Sequence, residues 1–360
     1  MRPLIRAIID SHALRHNLSV IRARAAGARV IAVVKANAYG HGLTGTALAL
    51  GDADALAVAR IEEALALRAA GIGARILLLE GVFSPAELAE AVYEGLDLVV
   101  HDVAQIELLE RSPHGAASRC PLWLKIDTGM NRLGFAPREF AAALARVRAL
   151  EPAPRELRLL THLACANERD DQVTRAQLER FRAATHGLDF EVSIANSAGI
   201  FGAVPLGCHW VRPGLALYGA SPFTDCSADS LGLKPVMTLV SSVIALRRVA
   251  RGESVGYGGS WVAPRDSQIA IVAAGYGDGV HRSLANGAAV LVSGSRAPLT
   301  GRVSMDMLAV DVSELNDVRV GTPVVLWGEG LPVEEAAQHA STIAYELLCS
   351  VSPRVPLEPR

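Results

Sequence analysis

The chain has 360 residues, 51% hydrophobic and 20% charged, a content that argues for a folded globular protein and against disorder. Its length sets a prior of roughly two domains of about 150 residues, long enough to bury a core without disulfide or metal staples. Lys and Arg total 35 against 37 for Asp and Glu, a net charge of −2; with no basic cluster, nucleic acid is not expected as a partner.

In chain order, Asp10 and Ser11 predict the cap of a helix carrying Leu14, Leu18 and Ile21 on one face. Asp10 and His12 also break the order of a signal peptide, so a cytoplasmic protein is expected. Short β-rich apolar runs then recur at 29–34, 55–59, 75–79, 97–100, 122–126, 158–161, 192–195 and 209–211. Between them lie stretches of helical spacing, such as Ile61, Ala64, Leu65 and Arg68, or Phe140, Leu144 and Val147. Alternating strands and helices in units of this size predict a parallel sheet closed as a (β/α)8 barrel. Periodicity alone leaves an open doubly wound sheet as the alternative. The longest uncharged run, 192–211, contains Asn196, Pro205 and His209, which fits strand and loop better than a membrane span.

A Ser/Asp/Gly/Pro-rich stretch at 221–231 reads as a linker. Beyond it, apolar runs at 236–246, 268–274, 289–292, 307–312 and 323–327 are separated by turns without helical patterns. They predict a mostly β C-terminal domain, closed by one helical stretch at 333–349. The expected division is therefore 1–225 and 226–360. Five scattered cysteines with no C-x-x-C pair read as reduced thiols, and no metal site is expected.

Polar residues gather where the barrel strands should end. Lys35 follows the first strand, His162 the sixth, Asn196 and Ser197 the seventh, and Arg212 the eighth; Lys125 lies on the fifth, with Arg132 just beyond. Active sites of such barrels form at these ends, with phosphate commonly held by the loops after strands seven and eight. Ser197-Ala198-Gly199 and Arg212-Pro213-Gly214 are those loops, and they carry the hydroxyl and glycines a phosphate cradle uses.

The strings V-V-K-A-N-A-Y-G-H-G (33–42), K-I-D-T-G-M-N-R-L-G-F (125–135), N-S-A-G (196–199), R-P-G-L-A-L-Y-G (212–219), V-G-Y-G (255–258), G-Y-G-D-G (275–279), S-M-D (304–306) and Y-E-L-L-C (345–349) resemble, in matching order, those of the alanine racemases, which depend on pyridoxal phosphate. The resemblance implies a barrel followed by a β-domain, first residues that pair with that β-domain, and a head-to-tail homodimer with shared active sites. It also implies L-alanine and D-alanine as substrates. Whether D-alanine would serve cell-wall synthesis or be degraded stays open.

Racemisation needs a base on each face of alanine Cα, and the cofactor supplies electron withdrawal. The resemblance implies Lys35 as the cofactor-bonding residue and D-face base, with Tyr257 of the partner subunit as L-face base. A phenol with an ordinary pKa near 10 is only about 0.1% ionised at pH 7, so cationic or hydrogen-bonding neighbours must help it. His162 backed by Arg212 resembles that relay, and Arg212 is expected to face the cofactor's ring nitrogen. Arg212 keeps its proton, so it would leave that nitrogen unprotonated and the ring a weaker electron sink. Phosphate is expected on Tyr39, Ser197, Tyr345 and the backbone of Gly214 and Leu215. Arg132 and the backbone of Met305 are expected at the substrate carboxylate, and Tyr276 as a gate on side-chain size. Lys125 matches a position that some members carry as a carbamate; the alternative is a plain amine bonded to Asp127.

Three competing readings remain. G-H-G-L-T-G (40–45) resembles a dinucleotide fingerprint, but Lys35 to Tyr39 separate it from the strand and Arg60 stands where an acidic ribose partner belongs. A non-enzymatic pyridoxal-phosphate carrier would lack the β-domain. A related barrel decarboxylase would carry an acidic residue at Arg212.

Overall fold

The computed structural model describes residues 4–112, 115–284 and 286–360. The first strand, β1 (Arg6–Ile9), runs into Asp10, whose carboxylate accepts the amides of His12 and Ala13 and caps the helix Ser11–Arg24. Leu14, Leu18 and Ile21 are buried on its inner face, as their spacing requires.

Eight parallel strands follow: β2 (Arg29–Val33), β3 (Ala55–Val58), β4 (Ile76–Leu78), β5 (Asp97–Val100), β6 (Leu122–Lys125), β7 (Leu157–Leu160), β8 (Val192–Ser193) and β9 (Trp210–Val211). β2 pairs with β9 through Arg29–Trp210 and Val30–Val211, so the sheet closes on itself. The open doubly wound alternative is excluded. β3, β4 and β5 are buried along their whole length, the continuous apolar pattern of strands covered on both faces.

The barrel floor is charged and aromatic. Arg158 lies over the rings of Trp123 and Trp210 at 5.2 and 5.5 Å and pairs with Glu156 and Glu191 at 2.5 and 2.6 Å. Arg75 joins Asp97 to Glu156, each at 2.7 Å. This network closes the end opposite the strand ends that carry Lys35 and His162.

The second sheet contains β10 (Met237–Val249), β13 (Ser267–Val272), β14 (Ala289–Val292), β15 (Ser295–Thr300), β16 (Leu308–Asp311), β17 (Pro323–Trp327) and β18 (Leu357–Pro359). Its order is β13-β16-β15-β14-β17-β10-β1-β18. Thus β1 joins the second sheet, pairing Arg6–Ile9 with Met237–Val240. The short hairpin of β11 (Ser254–Val255) and β12 (Trp261–Val262) stands apart and carries the Tyr257 turn.

The C-terminal helical stretch departs from expectation. The helical stretch 333–349 is two helices, Val333–His339 and Ala344–Ser350. Ser341 takes φ 55°, and the Thr342 amide donates to Ala337 O at 2.9 Å, a six-residue closure that ends the first helix in a left-handed residue. Among the described residues no helix is long and apolar enough to cross a membrane.

Candidate active site

Directly after β2 the backbone does something few L-residues do. Ala36, Asn37, Ala38 and Tyr39 take φ of 54°, 53°, 54° and 52° in succession, a left-handed turn. Each non-glycine residue in that region costs about 1–2 kcal/mol, so other contacts must hold it. Glu63 accepts the Ala36 amide at 2.6 Å, and Asn37 Oδ1 accepts the Leu43 amide at 2.9 Å. His41 Nδ1–H donates to Tyr39 O at 2.8 Å and Ala38 O at 3.1 Å. The His41 ring packs on Tyr218 at 4.5 Å, and Tyr218 stacks on Tyr39 at 4.7 Å. Gly40 is required because the helix Ala344–Ser350 presses Leu348 O against it, where a Cβ would overlap. The turn thereby presents Lys35 at the barrel mouth and buries Tyr39.

The same contacts dispose of the dinucleotide reading. The helix Leu43–Ala49 that follows G-H-G-L-T-G has its Leu43 amide capped by Asn37, and Gly42 faces Leu357.

Arg212 is buried beyond β9, donating to Ser193 Oγ at 2.5 Å and Thr161 O at 2.6 Å. Its Nη2 also donates to His162 Nδ1 at 3.3 Å. Since an arginine can only donate, Nδ1 is the acceptor and the His162 ring proton sits on Nε2. Burial, followed by the charges of Arg212, Lys125, Arg132 and Lys35, holds His162 well below the usual histidine range. His162 is neutral.

Lys125 ends β6 inside the mouth. Burial and the Arg212 and Arg132 charges push it down to about 8, against the opposing pull of Asp127. Asp127 does not bond it. Its Oδ1 accepts the amides of Gly129, Met130 and Asn131 and its Oδ2 that of Arg132, at 2.8–3.1 Å. Among the described residues no hydrogen bond links Asp127 to Lys125, and Asp127 shapes the turn that presents Arg132.

Ser197 is buried at the start of the helix Ser197–Phe201, and its Oγ accepts the amides of Gly214 and Ala216 at 3.0 and 3.2 Å. The Gly214 amide expected on phosphate thus meets the Ser197 hydroxyl, which accepts its hydrogen bond. A Cβ at Gly214 would overlap the Tyr39 hydroxyl, so glycine keeps that space open. Tyr39 is buried as a residue, and no described residue hydrogen-bonds its hydroxyl. Tyr345 stands 5.8 Å away, ring to ring, and Leu215 continues the loop from Gly214. An unpartnered phenol, a serine and open backbone around a glycine fit a phosphate, and the buried Arg212 and half-exposed Lys35 fit the remainder of pyridoxal phosphate.

Tyr257, Met305 and Tyr276 lie apart from this cluster, on the second sheet's loops. They are 66%, 54% and 42% exposed. Residues unmarked by sequence reasoning are His41 and Tyr218, which support the left-handed turn, and Thr161 and Ser193, which orient Arg212. His41 and Tyr218 fall inside the quoted strings, yet their spacing gives no sign of that support.

Comparison with known proteins agrees along the whole chain. The model of the alanine racemase N-terminal domain matches residues 9–222, and that of the C-terminal domain matches 236–358. The alanine racemase of Vibrio parahaemolyticus is 47% identical over 353 residues, 98% of each chain. That of Shewanella oneidensis is 46% identical over 356 residues, 99% of each. Among solved structures, the biosynthetic alanine racemase of Pseudomonas aeruginosa superposes with TM-score 0.95 at 48% identity, covering 100% of both chains. The alanine racemase of Bartonella henselae, with covalently bound pyridoxal phosphate, gives 0.88 at 31% identity over 100% of both.

Proposed function

Because the chain belongs to the alanine racemase family and interconverts L- and D-alanine, we propose that Lys35 and Tyr257 of the partner subunit are its two bases. The observation that carries this is the convergence of Lys35, Lys125, Arg132 and Arg212 around one neutral histidine. Such a cluster suits a ligand with a phosphate and a carboxylate. Pyridoxal phosphate, when bound, withdraws electrons from alanine Cα and makes its hydrogen removable.

Lys35 would hold the cofactor covalently at rest, and its amine, released when the substrate amine takes its place, would handle the proton on the D-face. Tyr39, Ser197, Tyr345 and the amides of Gly214 and Leu215 would hold the phosphate, and Arg212 would donate to the ring nitrogen. From L-alanine, the Tyr257 phenolate takes the Cα proton and the Lys35 ammonium returns one to the opposite face. His162, with its proton on Nε2, donates to the tyrosine oxygen and stabilises its anion. Arg132 and the Met305 backbone bind the substrate carboxylate, and Tyr276 limits side-chain size.

The catalytic unit is a cytoplasmic head-to-tail homodimer of two-domain chains, residues 1–225 and 226–360. The Lys125 amine, partly neutral near pH 7, adds to carbon dioxide: a nitrogen–carbon bond forms, a proton leaves, and the resulting anion pairs with Arg132. A crystal structure grown with bicarbonate tests this step, and a bare Lys125 Nζ in it would count against the carbamate.

Incubation of the purified protein with L-alanine in heavy water tests the whole reading. The expected product is D-alanine deuterated at Cα without any nicotinamide. A cofactor-loaded protein that leaves alanine unchanged would sink it.

A further inference from the structure

Tyr276 and Met305 are exposed on the chain that carries them, so packing does not aim their side chains; the backbone must. The loops holding them are tied directly, with the Tyr276 amide donating to Ser304 O at 3.0 Å and the Gly277 amide to Met305 O at 2.8 Å. A third segment grips both. Arg354 Nε donates to Asp278 Oδ1 and its Nη2 to Asp306 Oδ1, each at 2.8 Å. Asp278 is buried, and its other oxygen accepts the Gly275 amide at 2.9 Å. A Cβ on Gly277 would stand 2.6 Å from Arg354 Nη2, so the glycine admits the guanidinium. Behind it, the Ser352 amide donates to Asp278 O at 3.1 Å and Ser350 Oγ to Gly279 O at 2.9 Å. These bonds anchor the clamp to the helix Ala344–Ser350, which bears Tyr345.

We propose that Arg354 is a positioning residue for the substrate site, locking the Tyr276 and Met305 loops in one arrangement and thereby setting side-chain-size selectivity. The planar fork of an arginine holds two carboxylates in fixed geometry, which a lysine cannot reproduce. This rests on the reading that places Tyr276 and Met305 beside the substrate.

The test compares Arg354→Lys, Arg354→Met and Asp306→Asn as cofactor-loaded enzymes, with alanine and serine as alternative substrates. Asp306 is exposed, so its amide variant tests the clamp even where loss of Arg354 prevents folding. The expected result is KM for alanine raised about tenfold, the scale of one charge-assisted hydrogen bond, with kcat much less affected. The serine-to-alanine ratio of kcat/KM should rise, with Arg354→Lys between wild type and Arg354→Met. A purely structural clamp would lower Tm and leave KM and this ratio where they are, and that outcome overturns the proposal. Tyr276→Ala separates the two levels. If it shifts the ratio and the clamp variants do not, the proposal alone fails. If it shifts nothing either, the placement of the loop beside the substrate fails and takes the proposal with it.

Discussion

His41 touches no reacting group, yet the turn that presents Lys35 depends on it. Its Nδ1–H serves two carbonyls of the left-handed segment, and its buried Nε2 has no hydrogen-bond partner among the described residues. Protonating Nε2 would bury an unpaired donor and a charge, so burial pushes this histidine down to about 4. The unfolded chain, with a histidine near 6.5, binds the proton first. Stability contributed by neutral His41 is therefore present above about pH 6.5 and lost as pH falls toward about 4. From pH 7 to 4.5 that loss is about 2 kcal/mol. His162 adds a change of the same sign. Urea unfolding of the wild type and His41→Gln at both pH values should give a flatter pH dependence for the variant, by about that amount. Equal slopes would show that His41 does not carry this linkage.

At the level of elements, the left-handed turn 36–39 makes an unusual prediction. Glycine in an ordinary helix costs about 1 kcal/mol relative to alanine. At Ala36, exposed and at φ 54°, glycine removes a left-handed penalty of about 1–2 kcal/mol and adds a smaller entropy loss. Ala36→Gly should therefore raise stability slightly, by up to about 1 kcal/mol, whereas Ala36→Val should lower it. Thermal unfolding of the two variants decides, and a lower Tm for Ala36→Gly would mean that the turn is not under strain. Little in V-K-A-N-A-Y announces this turn, because alanine and lysine favour right-handed helix; it is held by local bonds from Asn37 and His41 together with distant packing by Tyr218 and Leu348. The barrel strands are different. Runs such as Ala55–Val58 and Asp97–Val100 are legible because strands buried on both faces need continuous apolar residues. Ser295–Thr300 was hidden by Pro298 and flanking polar residues, and it forms only because Ser293 and Gly294, both at positive φ, turn the chain back on Ala289–Val292. The site residues at strand ends were legible by position. Their partners were not, since Thr161 and Ser193 orient Arg212 through a carbonyl and a hydroxyl that any strand end could offer.

For the whole molecule, the decisive fact is separation. One chain gathers Lys35, His162 and Arg212 at the barrel mouth, while Tyr257, Tyr276 and Met305 face solvent on the second sheet's loops. A two-fold dimer that sets one chain's barrel mouth against its partner's sheet loops would complete two equivalent sites. Lys35→Ala and Tyr257→Phe should each be inactive alone, since each homodimer lacks one base in both sites. Unfolded together and refolded in equal amounts, half the dimers are mixed. In a mixed dimer, one site combines the intact Lys35 of one chain with the intact Tyr257 of the other, and the second site has neither. Random pairing therefore restores about a quarter of wild-type sites, and racemisation should return to about that fraction of the wild-type rate. Refolding the two variants separately and then mixing them for a time shorter than subunit exchange should restore none. If the co-refolded mixture stays inactive while size analysis shows dimers, both bases must belong to the same chain, and the exposed Tyr257 loop would need to fold back onto its own barrel.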